Sequence, residues 1–284
     1  MVNISDTTGT DWETMAKMYK KLTVGVSSKP ITAMLNMANA YLPFSEASGI
    51  HDNGCGPGNV IERIVSDYGG VIPSTASLSA SDFAPAMVER ARGLKTEALE
   101  KDPSSPWGRV DVKVGDAMNL QGVKDGSLSH VTAGWVYFLT PDPMKCLKES
   151  KRVLKDGGVL SCSSWQSSQW MDTMKIPAKV RPDLQHPSVP TEWASAPALK
   201  AELEKAGFRD VQAQEVEVTM EFDTYDALLE LCFEVMPHMA AVMKGISEEE
   251  RTKVLSLARE MVESYSPTEP GKLTGIALVA GGRK

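Results

Sequence analysis

The residue types best suited to chemistry gather in one segment, Gly49-Ile50-His51-Asp52-Asn53-Gly54-Cys55-Gly56-Pro57-Gly58-Asn59. A strand ends near Asp52, a glycine turn follows, and a helix begins near Gly58. Such a turn brings backbone N–H groups and a helix N-terminus close to a ligand, with no side chains in the way. A dinucleotide site needs G-x-G-x-x-G, because the diphosphate sits on the helix N-terminus. Here the spacing is G-x-G-x-G, and Asn59 holds the position of the third fingerprint glycine. Asp52 stands two residues before the first glycine of the turn. A carboxylate there repels a diphosphate and suits a ligand that carries an ammonium group and no phosphate.

S-adenosylmethionine is such a ligand, and two further positions test for it. Asp82, in Ser81-Asp82-Phe83-Ala84-Pro85-Ala86-Met87, lies 24 residues after Gly58, at the end of the next strand. An acid there accepts both ribose hydroxyls; a second reading makes it a helix N-cap. After the third strand, Val114-Gly115-Asp116-Ala117-Met118 offers Asp116 for the exocyclic amine of an adenine and the Ala117 backbone for a ring nitrogen. Each signal alone is weak. Together, in order and at successive strand ends, they define one site.

The elements that must position these residues alternate. Short apolar runs at 48–53, 76–81, 110–114, 128–136, 157–164 and 211–220 predict strands. Amphipathic stretches near 59–68, 84–101, 143–155 and 197–206 predict helices. Met87, Ala91, Leu94 and Ala98 share one helical face, as do Met144, Leu147 and Leu154. Strand–helix alternation implies parallel β-α-β units in a doubly wound α/β sheet. Two helical stretches, 11–21 and 30–42, precede it. After 220 the pattern changes: a helical stretch at 223–244 is interrupted at Pro237, and Ser247 with Glu250 forms a capping box before another helix. Thr274–Ala280 reads as a final strand. The expected organisation is a helical lid over 1–45, a cofactor-binding α/β core over 46–220, a helical cover insert over 221–267, and the last core strand in 268–284.

These motifs resemble those of the class I S-adenosylmethionine-dependent methyltransferases. Asp52–Gly58, Ser81–Met87, Gly115–Ala117 and Arg152–Leu160 carry the resemblance. Within that family the chain looks most like small fungal secondary-metabolite enzymes, the gliotoxin thiomethyltransferases among them. Ser163–Gln166, Glu202–Val211 and the helical insert carry that closer likeness. The resemblance implies a seven-stranded Rossmann-like sheet with its last strand antiparallel. It also implies that Asp52, Asn53, Gly54, Gly56 and Gly58 hold the methionine moiety, with Gly134 and Trp135 lining that side. Asp82 would then hold the ribose, beside Phe83 and Met87, and Asp116, Ala117 and Met118 the adenine. His130 departs from the usual pattern of the fourth strand.

Methyl transfer from a sulfonium needs alignment and exclusion of water, and a general base is optional. The four histidines are His51, His130, His186 and His238. His51 and His130 lie in strands and read as structural; His186 lies in a Pro-rich loop; His238 follows Pro237 in the cover and is the candidate base. Candidate acceptor-binding residues are Tyr19 and Met37 before the sheet, Trp165 and Trp170 after the fifth strand, and Phe233 and Met236 in the cover. For the tryptophans the alternative is loop packing. Met15, Met18, Met34, Met239 and Met243 fall in the same stripes and are either core or an adaptable apolar lid.

The 284 residues carry 30 Lys and Arg against 37 Asp and Glu, a formal net charge of −7, which disfavours nucleic acid and anionic membrane as partners. The four cysteines have no metal-ligand spacing, the N-terminus has no signal-peptide pattern, and no apolar run is long enough to span a bilayer. A reduced, soluble, cytoplasmic enzyme, monomer or homodimer, is the expectation. It would act at S, O or N of a small hydrophobic acceptor. The alternatives are a macromolecular acceptor, or a cofactor-binding regulator or scaffold without transfer.

Overall fold

The computed structural model describes residues 9–184 and 188–284; side chains are described from residue 25 onward, apart from 237 and 238. Helix α1 (Gly9–Tyr41) is followed by β1 (Gly49–Asn53), α2 (Asn59–Tyr68), β2 (Ser77–Asp82), α3 (Pro85–Lys101) and β3 (Val110–Val114). Then come β4 (Leu128–Gly134), α4 (Pro143–Val153), β5 (Leu154–Ser168), α5 (Gln169–Thr173), α6 (Ile176–Val180), α7 (Ala196–Lys205) and β6 (Arg209–Phe222). The chain ends with α8 (Tyr225–Glu230), a π-helical stretch Leu231–Val235, α9 (Pro237–Lys244), α10 (Glu248–Tyr265) and β7 (Gly271–Arg283).

The strands form one seven-stranded sheet in the order β3-β2-β1-β4-β5-β7-β6. β1 pairs in parallel with both β2 and β4. The chain therefore winds one way through β1, β2 and β3 and the other way through β4 and β5. The reversal leaves a crevice at the carboxyl ends of β1 and β4, where ligands bind in doubly wound sheets. β7 runs antiparallel. Lys284 donates to the Gly158 carbonyl at 2.8 Å near the start of β5, whereas Gly275 lies against Ser168 at its end.

Two compact units are present. The larger comprises Pro30–Gln166, Val189–Val216 and Ala277–Lys284; the smaller comprises the segment through Lys29, Ser167–Ser188 and Glu217–Ile276. In the larger unit all five residues of β1 are buried, and so are the first six of β4. Ile31, Met34 and Leu35 of α1 join Ile50, Ile61, Ile64 and Leu78 in its core. Each such side chain contributes about 1.5–3 kcal/mol relative to leaving it in water. Met34, placed by sequence in either the core or a lid, and Met37, a candidate for acceptor binding, both pack in this core. Met34 is fully buried, and Met37 packs against the same core, its sulfur close to Gly281.

The N-terminal helix differs from expectation. Two stretches, 11–21 and 30–42, are one helix that continues through Pro30. Tertiary packing overrides the weak local propensity of the intervening residues, and Val26, Ser27 and Pro30 are buried. The break expected at Pro237 occurs: Met236 adopts an extended backbone and α9 starts at the proline. The Ser247–Glu250 capping box is formed.

Candidate functional site

The three glycines after β1 do different work. Gly54, Gly56 and Gly58 all have positive φ, at 74°, 54° and 99°. A Cβ on Gly54 would lie 2.3 Å from Val136 Cγ2, and one on Gly58 would meet Ala91 and Leu94 at 3.3 Å. These two are glycine because the protein itself fills the space. A Cβ on Gly56 would meet nothing within 4 Å. Gly56 alone presents bare backbone to open space, as a ligand cradle requires.

Asp52 is fully buried, which corrects the expectation of a direct contact with a ligand ammonium. Oδ1 accepts the Thr132 hydroxyl at 2.8 Å, and Oδ2 accepts the Ile61 amide at 3.2 Å. Ile61 lies in the first turn of α2, whose N-cap Gly58 has no side chain to offer. Asp52 therefore caps α2 from the neighbouring strand, a carboxylate against a helix N-terminus. Thr132 is its register partner across β1 and β4. Burial raises the Asp52 carboxyl to about 7, against the opposing effect of the two hydrogen bonds.

Asp82 closes the rim on the other side. Oδ2 accepts the Gly56 amide at 2.8 Å and Oδ1 the Ala84 amide at 2.9 Å. Each oxygen keeps a lone pair for a further donor, the geometry that a pair of vicinal hydroxyls needs. Burial raises its carboxyl above the ordinary value. The N-cap of α3 is Ala84, so Asp82 is not that cap. The turn is anchored beneath by Ser81, whose carbonyl accepts the amides of Gly54 and Cys55, both at 2.8 Å.

Beyond Asp82 the strand ends leave apolar surface uncovered. Phe83 is 68% exposed, and Val114, the register partner of Asp82, is 53% exposed. Met87 is half-buried in the first turn of α3. Asp116 curls on itself, Oδ1 accepting the Met118 amide at 2.8 Å. Asn53 reaches across from β1, its Nδ2 donating to the Ala117 carbonyl at 3.3 Å and to Tyr137 Oη at 3.1 Å.

At the end of β4, Gly134 packs on Val60 and Trp135 takes a left-handed backbone, φ 55°. The Trp135 amide donates to Ser163 Oγ at 3.1 Å, and its ring stacks on Trp165 with centroids 5.4 Å apart. Two buried polar atoms here have no partner: Asn53 Oδ1, an acceptor, and Trp135 Nε1, a donor. Asn53 ends β1, and Trp135 directly follows the neighbouring strand β4. Buried polar groups are normally paired, and a ligand end carrying both ammonium and carboxylate would complement this pair. The acid at Asp82, the open cradle at Gly56 and the two orphan atoms fit a neutral-to-cationic adenosyl amino acid. They do not fit a diphosphate.

All thirteen residues singled out for the cofactor lie in the larger unit, at or just beyond the carboxyl ends of β1, β2, β3 and β4. Residues without a sequence signal complete the site: Thr132, Tyr137 and Ser163 act through single hydroxyls that no spacing reveals. Of the acceptor candidates, Trp165 lies in the larger unit, half-buried on Trp135. Trp170, Phe233 and Met236 belong to the smaller unit. There Trp170 is buried against Gly275, Phe233 is fully buried, and Met236 is half-buried. The side chains of Tyr19 and His238, and all of His186, lie outside the described residues.

The strand histidines are structural. His51 sits between Ser79 and Ser81, with ring nitrogens 2.8 and 3.1 Å from their hydroxyls. His130 contacts Ser129 Oγ and the Leu42 carbonyl, each at 2.8 Å, and stacks on Phe44. Burial lowers both to about 4, so both are neutral near pH 7. Among the described residues no group of three His, Cys, Asp or Glu side chains is placed to hold a metal ion.

Comparison with known proteins gives the family. The family profile described as "Methyltransferase domain" matches residues 51–162. The chain is 35% identical over 272 residues to methyltransferase ucsB of an Acremonium species, covering 96% of this chain and 94% of that protein. It is 24% identical to methyltransferase tpcH of Aspergillus fumigatus, covering 83% and 84% respectively. A solved structure from Bacillus halodurans superposes with a TM-score of 0.56 at 16% identity, over 89% of this chain and 98% of that one, and shows the same fold.

Proposed function

Since the chain belongs to the class I S-adenosylmethionine-dependent methyltransferases, we propose that it methylates a small hydrophobic molecule at sulfur, oxygen or nitrogen. S-adenosylmethionine, the cofactor of this family, supplies a methyl group activated on a positively charged sulfur. The observation that carries the reading of the site is the rim formed by Asp82 and Gly56. Asp82 would take the ribose hydroxyls, with Phe83, Val114 and Met87 against the base. Asp116 and the Ala117 backbone would take the adenine edge. Asn53 and Trp135 would take the amino-acid end.

The protein's own contribution to transfer is alignment and dryness. Gly134 and Trp135 form a stiff wall at the end of β4, held by Ser163 and by the stack on Trp165. A flat apolar acceptor laid on Trp165 would be desolvated and aimed at the methyl group. A charge-dispersing displacement needs little more when the acceptor is a thiolate, and the described histidines are neutral structural groups. His238 remains the proposed base for a phenol or alcohol acceptor. The likeness to fungal methyltransferases favours a secondary metabolite as the acceptor. No described helix is long and apolar enough to cross a membrane, and the reaction is assigned to the cytoplasm.

The test is incubation with methyl-labelled S-adenosylmethionine and a panel of thiols, phenols and amines, with products identified by mass spectrometry. A methylated small molecule is expected. Cofactor binding with no product across the panel would overturn the acceptor class, and absence of cofactor binding would overturn the site.

A further inference from the structure

Ser150 belongs to none of the roles above and Tyr137 enters them only as a partner of Asn53, yet both are polar and both are buried. Tyr137 lies in a 3-10 turn, Tyr137–Leu139, after β4, and Ser150 lies on α4. Ser150 Oγ donates to the Cys146 carbonyl at 2.9 Å. Its single proton is then committed, so its oxygen accepts from Tyr137 Oη, 2.5 Å away. The phenol proton is thereby committed too, and Tyr137 Oη accepts from Asn53 Nδ2 at 3.1 Å. The second proton of that amide goes to the Ala117 carbonyl at 3.3 Å. Because a hydroxyl has one proton, the carbonyl of Cys146 sets the direction of every link. Burial holds the Tyr137 phenol far above its ordinary value, which keeps the donor in place.

The direction matters because an amide side chain has two nearly isosteric orientations. With Nδ2 toward Ala117 a donor meets a carbonyl. Reversed, Oδ1 would face that carbonyl, two acceptors together. We propose that Tyr137 and Ser150 are positioning residues that lock the Asn53 amide. Through it they set the Asp116–Ala117–Met118 loop, and hence the selectivity of the site for adenine over a purine without the exocyclic amine. The proposal rests on the assignment of that loop to the adenine edge.

The experiment is titration calorimetry of the full chain with S-adenosylhomocysteine and with S-inosylhomocysteine, which carries an oxo group in place of the amine. Wild type is expected to prefer the adenosyl ligand by on the order of a hundredfold or more, because mismatched buried polar groups are costly. Tyr137→Phe should weaken S-inosylhomocysteine by about twofold to threefold, through the amino-acid end that Asn53 serves in both ligands, and S-adenosylhomocysteine by a further roughly fivefold, so that the preference falls. Ser150→Ala keeps the Tyr137 ring and should move the preference the same way by a smaller factor; it carries the test if Tyr137→Phe folds poorly. Equal weakening of both ligands marks a merely structural role and overturns the proposal, as does no change in either variant. A wild type that binds neither ligand fails at the site reading itself, an outcome distinct from failure of the relay.

Discussion

The Gly56 amide donates to the Asp82 carboxylate at 2.8 Å, so the acid ending β2 and the middle glycine of the turn after β1 form one rigid rim. Removing the acid therefore removes two things, a diol acceptor and the brace that holds the cradle open. Asp82→Ala should weaken S-adenosylhomocysteine by on the order of a hundredfold, since hydrogen bonds to charged groups contribute about 1.5–3 kcal/mol each. Asp82→Asn should also weaken it, because an amide nitrogen would face the Gly56 or Ala84 amide donor-to-donor. Calorimetric affinities of the two variants check this; an affinity within threefold of wild type for Asp82→Ala would remove the ribose assignment.

The glycine turn separates folding from binding. Gly54→Ala combines a left-handed backbone with a Cβ 2.3 Å from Val136, and should destabilise the protein by about 3–5 kcal/mol. Gly56→Ala has the same backbone problem but no neighbour, and should cost only about 1–2 kcal/mol. Its methyl group, however, would stand in the space assigned to the cofactor. Thermal unfolding should thus single out Gly54→Ala, while titration of folded protein should show binding lost in Gly56→Ala.

Trp165 stacks on Trp135 across the ends of β5 and β4. If Trp165 is the acceptor wall, Trp165→Ala should raise the acceptor KM about tenfold or more and leave cofactor affinity within about twofold, for a buried aromatic contact contributes beyond its area. Steady-state kinetics on whichever acceptor the panel identifies, set beside titration of S-adenosylhomocysteine, makes the comparison. An unchanged acceptor KM would return Trp165 to simple packing.

The reach of the sequence follows its physics. Short apolar runs between helices of 3.6-residue period mark the strands of the sheet, and the barely apolar Ser77–Asp82 follows because β-α-β alternation demands a strand there. Glycines and acids at strand ends were legible because backbone geometry forces the first and a hydroxylated ligand requires the second. What stayed hidden depends on tertiary contact. Nothing in the spacing shows that Thr132 meets Asp52, that Tyr137 holds Asn53, or that Pro30 lies inside a helix. The direct role read for Asp52 failed for the same reason: a residue two before a glycine turn can face the ligand or the helix behind it, and burial chose the helix.

Asp52 also makes stability depend on pH in a direction opposite to that of a salt-bridged acid. Its ordinary value is 3.8, and burial raises it to about 7 in the folded protein. Between those values the native state holds a proton that the unfolded chain has released. The stabilisation this gives is fully present below about pH 4 and is lost as pH rises through about 7. At about 1.4 kcal/mol per unit the total is on the order of a few kcal/mol. Asp52→Asn keeps a neutral group of the same shape, able to accept from Ile61 at any pH, and should flatten this part of the profile. Urea unfolding of ligand-free wild type and variant from pH 4 to pH 8 measures it. The difference in stability between them should move in favour of the variant as pH rises. A difference constant across that range would show that Asp52 is ionised throughout, and that Thr132 and the N-terminus of α2 are sufficient to hold the buried charge.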